Sequence, residues 1–187
     1  MRLRLRNGRL VRVRPVRSAD GEAIQAFVRA LSTTSRRLRF FGSLRELTPA
    51  MLERLTTGGG GRAFVALFND DGEDHVVAIA EFAGHDEGEK CDVALVVADD
   101  WQGLGLGSLL MEMLVDTARE AGFRRAEADV LRGNESMLSL ARASGFDVRR
   151  SPIDATMLRI VRWLYRHRIT TPAATRPLLL ENEGCRA

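Results

Sequence analysis

The run Val97-Ala98-Asp99-Asp100-Trp101-Gln102-Gly103-Leu104-Gly105-Leu106-Gly107-Ser108 holds the residues whose types and spacing most clearly specify a chemistry. Every second position from Gly103 to Gly107 is glycine, between a short apolar segment and a helical one. Glycines at such a junction let successive backbone N–H groups converge, and the start of a helix adds partial positive charge. That is a cradle for an anion, most naturally a pyrophosphate. Two nucleotide motifs fail the spacing. A P-loop needs Lys and then Ser or Thr after its last glycine, and the only lysine of this chain is Lys90. A dinucleotide fingerprint needs G-x-G-x-x-G, a spacing that Gly103, Gly105 and Gly107 do not have. Close strand-helix packing also uses glycine, so the run alone does not name its ligand.

The cradle needs a strand ahead of it and a helix behind it. Residues 91–98 are short and apolar, as a strand in a sheet interior reads, and residues 104–121 carry Leu109, Leu110, Met113, Leu114 and Ala118 at helical spacing before Gly122. Residues 125–131 read as the next strand, and a shorter helix runs from about Asn134 to Ser144, ended by Gly145. Strands near 146–148 and 157–161 complete the sheet. Upstream, residues 9–17 alternate Val11, Val13 and Val16 with arginine, the pattern of a half-buried edge strand. Ser18 and Asp20 offer a cap to a helix carrying Ile24, Phe27, Val28 and Leu31, and a second helical run passes through Leu38, Phe40 and Phe41. Thr48-Pro49 opens a third helix, and Gly58 to Gly61 form a flexible joint. Strands at 63–68 and 76–82 flank the hairpin signal Asn69-Asp70-Asp71-Gly72. Strands dominate early and alternate with helices later, which predicts a mixed sheet in an α/β (α+β) fold. Residues 1–165 read as one domain, and residues 166–187, without periodicity, as a mobile tail.

Composition bounds the rest. A chain of 187 residues, 45% apolar and 28% charged, suits one domain and excludes wholesale disorder or a fibrous repeat. All but one of its 28 basic residues are arginine, and the net charge of +3 draws anionic ligands. The arginine-rich start has no interleaved aromatic residues of the kind single-stranded nucleic-acid binding uses, so no nucleic-acid partner is expected. No apolar stretch approaches the ~18 residues of a membrane span, and no signal-type segment is present. With two cysteines, the expected setting is cytoplasmic and without a membrane partner. His75, His85 and His167 are scattered and lack the spacing of a zinc site, so no metal is expected. Cys91 reads as a buried, inert thiol and Trp101 as packing at the strand-helix bend.

The glycine run matches Q-x-x-G-x-G, and it is followed by Asn134 and by the Gly145-Phe146 pair that closes the next helix. In these features the chain resembles the GCN5-related N-acetyltransferases over roughly residues 9–162. The segments LRFFGSLRELTPAMLERLT, CDVALVVADDWQGLGLG and MLSLARASGFDV are most similar to the acetyltransferase domain of bacterial protein lysine acetyltransferases of the Pat type. Those enzymes usually fuse this domain to a regulatory one, for which the present chain has no room.

The resemblance implies a sheet of six to seven strands with a splayed parallel pair and helices on both faces. It implies acetyl-CoA as co-substrate. Leu95, Val96 and Val97 would offer backbone groups to the pantetheine amides, and Gly103, Leu104, Gly105, Leu106, Gly107 and Ser108 would give N–H groups to the pyrophosphate. Gln102 would shape the turn, and Asn134 would touch the cofactor near its thiol end. Taken singly, these residues also read as core, helix cap and solvated surface. A carboxylate commonly deprotonates the attacking amine. Asp92 stands where Pat-like sequences have glutamate, which favours a water relay, and Asp129 stands where several relatives carry a base. Glu81 and Glu127 are further candidates. Ala141 occupies the place of the family's usual tyrosine, so protonation of the leaving thiolate falls to solvent or to a serine such as Ser139, and the sole tyrosine, Tyr165, reads as packing or surface. The implied acceptor is a protein lysine. A small amine remains open within the same class, as does a catalytically weak acyl-CoA-binding module, and the sequence leaves the oligomeric state open.

Overall fold

In the computed structural model, residues 1–42, 44–58, 61–84 and 89–164 are described. The alternation near the start forms strand β2 (Leu10–Pro15), with Val11 and Val13 each 2% exposed and Leu10 and Arg12 facing out. It is not the edge of the sheet. A three-residue strand, β1 (Arg2–Arg4), pairs antiparallel beyond it and takes that place. Asp20 departs from the expected capping role. Its carboxylate accepts the Arg17 N–H at 2.7 Å and pairs with the Arg14 guanidinium at 2.6 Å, and makes no side-chain cap to α1 (Gly21–Ala30).

The next two helices follow their sequence signals. Ser32 Oγ accepts the Ser35 N–H to cap α2 (Thr33–Phe40), and Thr48 caps α3 (Pro49–Thr57) with Pro49 in the first turn. Strands β3 (Gly61–Asp70) and β4 (Glu73–Gly84) are joined by a turn in which Asp71 and Gly72 both have positive φ, the mirror-image turn that suits a hairpin's twist. Of the expected joint at Gly58 to Gly61, Gly58 ends α3 in a left-handed conformation, Gly61 opens β3, and the two glycines between lie outside the described residues. A Cβ on Gly61 would come within 1.9 Å of the Phe82 carbonyl oxygen, so only glycine fits there.

Strand β5 (Lys90–Val97) leads into the glycine run, and α4 (Leu106–Glu120) follows it. Then come β6 (Arg125–Leu131), α5 (Glu135–Ala143), β7 (Asp147–Arg150) and β8 (Met157–Trp163). The eight strands lie in the order β1-β2-β3-β4-β5-β6-β8-β7, one more than the upper expectation because of β1. All described pairings are antiparallel except β5 with β6.

Two apolar clusters cover the two faces. One packs Leu106, Leu110, Met111, Leu114 and Val115 of α4 and Leu138 and Ala141 of α5 against Val93, Val97, Val130 and Ile160. The other packs Ile24, Phe27 and Val28 of α1 and Leu55 of α3 against Val65, Ile79 and Val96. Helix α4 has Gly105 at its N-cap and hence no side-chain cap, a loss of about a few tenths of a kcal/mol. Each large apolar side chain it buries contributes about 1.5–3 kcal/mol, so packing outweighs the missing cap several times over. The first amides of α4 are thereby left for another partner. The expected tail, with Tyr165, lies outside the described residues.

Candidate active site

The parallel ladder between β5 and β6 is three residues long: Lys90 with Arg125, Cys91 with Ala126, and Asp92 with Glu127. Beyond that rung the strands part, although β5 continues to Val97 and β6 to Leu131. A cleft of about 970 Å³ opens between them, lined among others by Arg39, Asp92, Leu95, Gln102, Gly107 and Asn134.

The hydrogen-bond phase of β5 determines which backbone groups meet the cleft. The Ala98 N–H donates to Val77 O at 2.9 Å, toward β4. The Val97 carbonyl therefore points the opposite way, into the gap, and the N–H and C=O of Leu95 face the same side. Val96 belongs to the alternate set, turned to Ile79 of β4. Of the three residues expected to present backbone groups, Leu95 and Val97 face the gap and Val96 does not. The Val97 carbonyl already accepts Gln102 Nε2 at 3.1 Å. What remains on this edge are the Leu95 N–H and C=O and the Val97 N–H.

At the wide end lies the glycine loop. Gly103 and Gly105 have φ of +73° and +90°, a region that disfavours every residue with a Cβ. Gly107 lies inside α4, where a Cβ would meet Leu140 of α5 at 3.4 Å. The Leu109 N–H, bonded to Gly105 O at 3.2 Å, is the first to close the helix, so the amides of Leu106, Gly107 and Ser108 have no helical carbonyl to bond. The Leu106 side chain is fully buried in the core and Leu104 packs against it, so both can serve an anion only through backbone N–H groups. An open helix start behind two left-handed glycines fits a pyrophosphate.

Sequence reasoning missed two supports of this loop. The Arg6 N–H donates to Leu104 O at 3.2 Å, and its side chain lies 3.6 Å from where a Cβ on Gly105 would stand, lining the cleft. Asp99, in the short 3-10 turn that follows β5, accepts the Ser32 N–H and the hydroxyls of Ser32 and Ser35, at 3.0, 2.7 and 2.8 Å. Gln102 Nε2 lies 3.3 Å from the same Ser35 hydroxyl. The start of α2 is thus fastened to the loop. Burial works to raise the Asp99 carboxyl, but the serine donors outweigh it and hold the group below its ordinary value. The pairing of β1 with β2 is what brings Arg6 to the loop. Trp101 packs on Phe68, ring centroids 4.8 Å apart, with Arg9 over its face.

The four candidate carboxylates share one sheet face. Glu81, Asp92, Glu127 and Asp129 alternate with Ala80, Val93, Ala126 and Val130, which belong to the core on the other side. All four line the cleft, but in different company. Glu81 pairs with Arg39 of α2. Glu127, 5% exposed, lies 3.6 Å from Lys90 Nζ and 3.1 Å from Arg125 Nε. Asp129 binds Arg159 in a fork at 3.1 and 2.6 Å, and this hydrogen bonding holds its carboxyl below the ordinary value despite partial burial. Asp92 is solvent-exposed at the point where the strands part.

Asn134 caps α5, its Oδ1 accepting the Met137 N–H at 3.2 Å and the Ser136 hydroxyl at 3.1 Å. It also lines the cleft, where Nδ2 is the donor it has left to offer. Ser139, named as a proton source, is exposed and outside the lining; Ser136 is in it. Ala141 is fully buried. Cys91 is fully buried as well, and burial, with the nearby Asp92 and Glu127 charges, pushes its thiol up to about 12. At neutral pH it is not a nucleophile. No cluster of metal-binding side chains occurs among the described residues, and no helix among them is long and apolar enough to cross a membrane.

A parallel pair that splays open between an open helix start and a carboxylate-lined sheet face is the arrangement of an N-acetyltransferase. Residues 28–146 match the Acetyltransferase (GNAT) family, and the chain belongs to that family. It is 40% identical over 156 residues to Acetyltransferase PA5475 of Pseudomonas aeruginosa, covering 82% of this chain and 84% of that protein. It is 35% identical over 138 residues to Acetyltransferase Pat of Mycolicibacterium smegmatis, covering 72% of this chain but only 40% of the longer relative. Among solved structures, the GNAT domain of Streptomyces lividans PAT superposes with a TM-score of 0.78 at 27% identity, covering 88% of this chain and 96% of that one. The yncA protein of Salmonella typhimurium, solved with its cofactor acetyl-CoA, shares the fold with a TM-score of 0.67 at 20% identity, covering 84% of this chain and 96% of its own.

Proposed function

We propose that the protein transfers an acetyl group from acetyl-CoA directly to a primary amine, foremost a lysine side chain on another protein. The observation that carries the reading is the parting of β5 from β6 at Asp92 and Glu127, which puts unpaired strand backbone, an open helix start and a carboxylate in one cleft. Acetyl-CoA supplies the activated thioester. Its pyrophosphate would be held by the amides from Gly103 to Ser108, its pantetheine amides by Leu95 and Val97, and its thiol end would lie toward Asn134. Val96 contributes side-chain wall rather than backbone.

Asp92 is the favoured general base. Of the four it is the exposed carboxylate, at the rung where the strands part, while Glu127 is nearly buried. Being one methylene shorter than glutamate, it suits a relay through water. The inert Cys91 speaks for direct transfer over an acyl-enzyme. Ser136 and solvent are the proton sources within reach of the cleft for the leaving thiolate.

The rim supports a macromolecular acceptor. Phe41 and Ile153, 47% and 79% exposed, both border the cleft and would otherwise leave apolar surface in water. Thiol release with lysine-containing proteins and peptides, set against polyamines and aminoglycosides, tests the proposal. Higher kcat/KM on the protein acceptors is the expected result. Preference for a small amine would refute the acceptor class, and acetyl-CoA binding without turnover on any amine would refute the enzymatic reading in favour of an acyl-CoA-binding module.

A further inference from the structure

Lys90 is the only lysine in the chain, and it lines the closed end of the cleft that the acetyl-transfer reading assigns to the donor. It begins β5, two residues before Asp92 and therefore on the same face of the sheet, at the end where β5 and β6 are still paired. Its side chain is one-third exposed, and Nζ lies 3.6 Å from Oε1 of Glu127, whose side chain is 6% exposed. The other primary amine, the Met1 N-terminus, donates to Val13 O at 2.8 Å beside the edge strand β1, far along the sheet from β5.

We infer that the protein acetylates its own Lys90 from acetyl-CoA bound in the same cleft. The inference rests on the acetyl-transfer reading above. A tethered amine reacts as if at high local concentration, since the encounter with an acceptor is already made. The Lys90 ammonium gives one proton to Glu127, the Nζ lone pair forms the C–N bond to the acetyl carbonyl carbon, and the C–S bond breaks with its electrons leaving on sulfur. The thiolate takes the second nitrogen proton, and Glu127 returns its proton to solvent. Ammonium and thioester become amide, thiol and one released proton. The product has no charge at residue 90, so Glu127 loses one of its two cationic neighbours. Self-acetylation therefore alters the charge at the closed end of the cleft, beside Asp92.

Intact-mass and peptide spectrometry of the purified protein after incubation with acetyl-CoA test the inference without ambiguity of site. The expected result is one acetyl increment on the Lys90 peptide, at a rate independent of protein concentration and on the order of a hundredfold above that of the same lysine in the urea-unfolded chain. Lys90→Arg removes the increment. CoA, which carries no acetyl group, is expected to slow reductive methylation of Lys90. An added lysine peptide separates the two proposals. Acetylated peptide with unmodified Lys90, or Lys90 acetylation no faster than in the unfolded chain, overturns self-acetylation alone. Undiminished methylation under CoA does the same. Failure of CoA to bind, with no transfer to either amine, overturns the acetyl-transfer reading and this inference with it.

Discussion

Asp92 of β5 and Glu127 of β6 are partners across the last rung of the parallel ladder, one exposed and the other almost fully buried. Two carboxylates on adjacent strands thus take different work, Asp92 meeting solvent in the cleft while Glu127 is tied to Lys90 and Arg125. Substitution of Asp92 by Asn is expected to lower kcat by about 10²–10⁴ with acetyl-CoA affinity retained, the usual range for loss of a general base. Asp92→Glu should keep activity, and Asp129→Asn should act mainly through Arg159. Steady-state thiol release with calorimetric acetyl-CoA binding separates these outcomes; full activity in Asp92→Asn would remove Asp92 from the mechanism.

Arg6 reaches the glycine loop from the β1–β2 connection, so it can add a guanidinium to an otherwise backbone-made anion site. Arg6→Ala is expected to raise the Kd for acetyl-CoA by roughly two- to fivefold, in line with about 0.5–1 kcal/mol for one solvent-exposed ion pair, and to weaken the salt dependence of binding. Calorimetry at two ionic strengths checks both. An unchanged Kd would reduce Arg6 to a support of Leu104.

Gly61 and Gly133 provide a stability contrast. The Cβ of alanine at residue 61 would overlap the Phe82 carbonyl oxygen, whereas at residue 133 it meets nothing within 4 Å. Gly61→Ala should cost about 2 kcal/mol or more, at the upper end of ordinary single substitutions, and Gly133→Ala within about 0.5 kcal/mol. Urea denaturation midpoints give the comparison, and equal midpoints would contradict the packing described for β3 and β4.

Acid should loosen the fold through three carboxylates. Arg14 lowers Asp20, Arg159 lowers Asp129, and at Asp99 the serine donors overcome the upward pull of burial. A group whose folded value lies below its unfolded value of about 4 stabilises the fold above that pH, and the contribution disappears as pH falls through the folded value. Thermal melts should therefore be flat in this respect near neutrality and fall below about pH 4. In Asp99→Asn the neutral-pH melting temperature drops and the acid slope is shallower. An acid slope identical to that of the parent would exclude Asp99 from the effect.

What could be read in the sequence was whatever local pattern encodes. The strand at residues 125–131, the β3–β4 turn and the Thr48 cap stand where periodicity and turn chemistry place them. Three residues, Arg2 to Arg4, are too few to show alternation, so β1 was invisible and β2 passed for the edge. The bond between Asp99 and Ser32 spans 67 positions, and no local signal announces a partner at that distance. Asp20 illustrates the opposite error. Its type and position suit a helix cap, but Arg14, brought alongside by β2, competes for the carboxylate and wins. The roles of Leu95 and Val96 differ only in hydrogen-bond phase, which the pairing of β4 with β5 sets and side-chain chemistry does not encode.

The fastening of α2 to the loop through Asp99, Ser35 and Gln102 makes the wall over the sheet's acidic face and the floor beneath the donor a single mechanical piece. Whatever settles the glycine loop also settles the helix that an incoming amine must pass. Such a linkage favours a compulsory sequence of arrival, donor before acceptor, with CoA departing last. Product inhibition by CoA would then be competitive against the donor and noncompetitive against the amine, a kinetic signature written into three hydrogen-bonding side chains of the cleft wall.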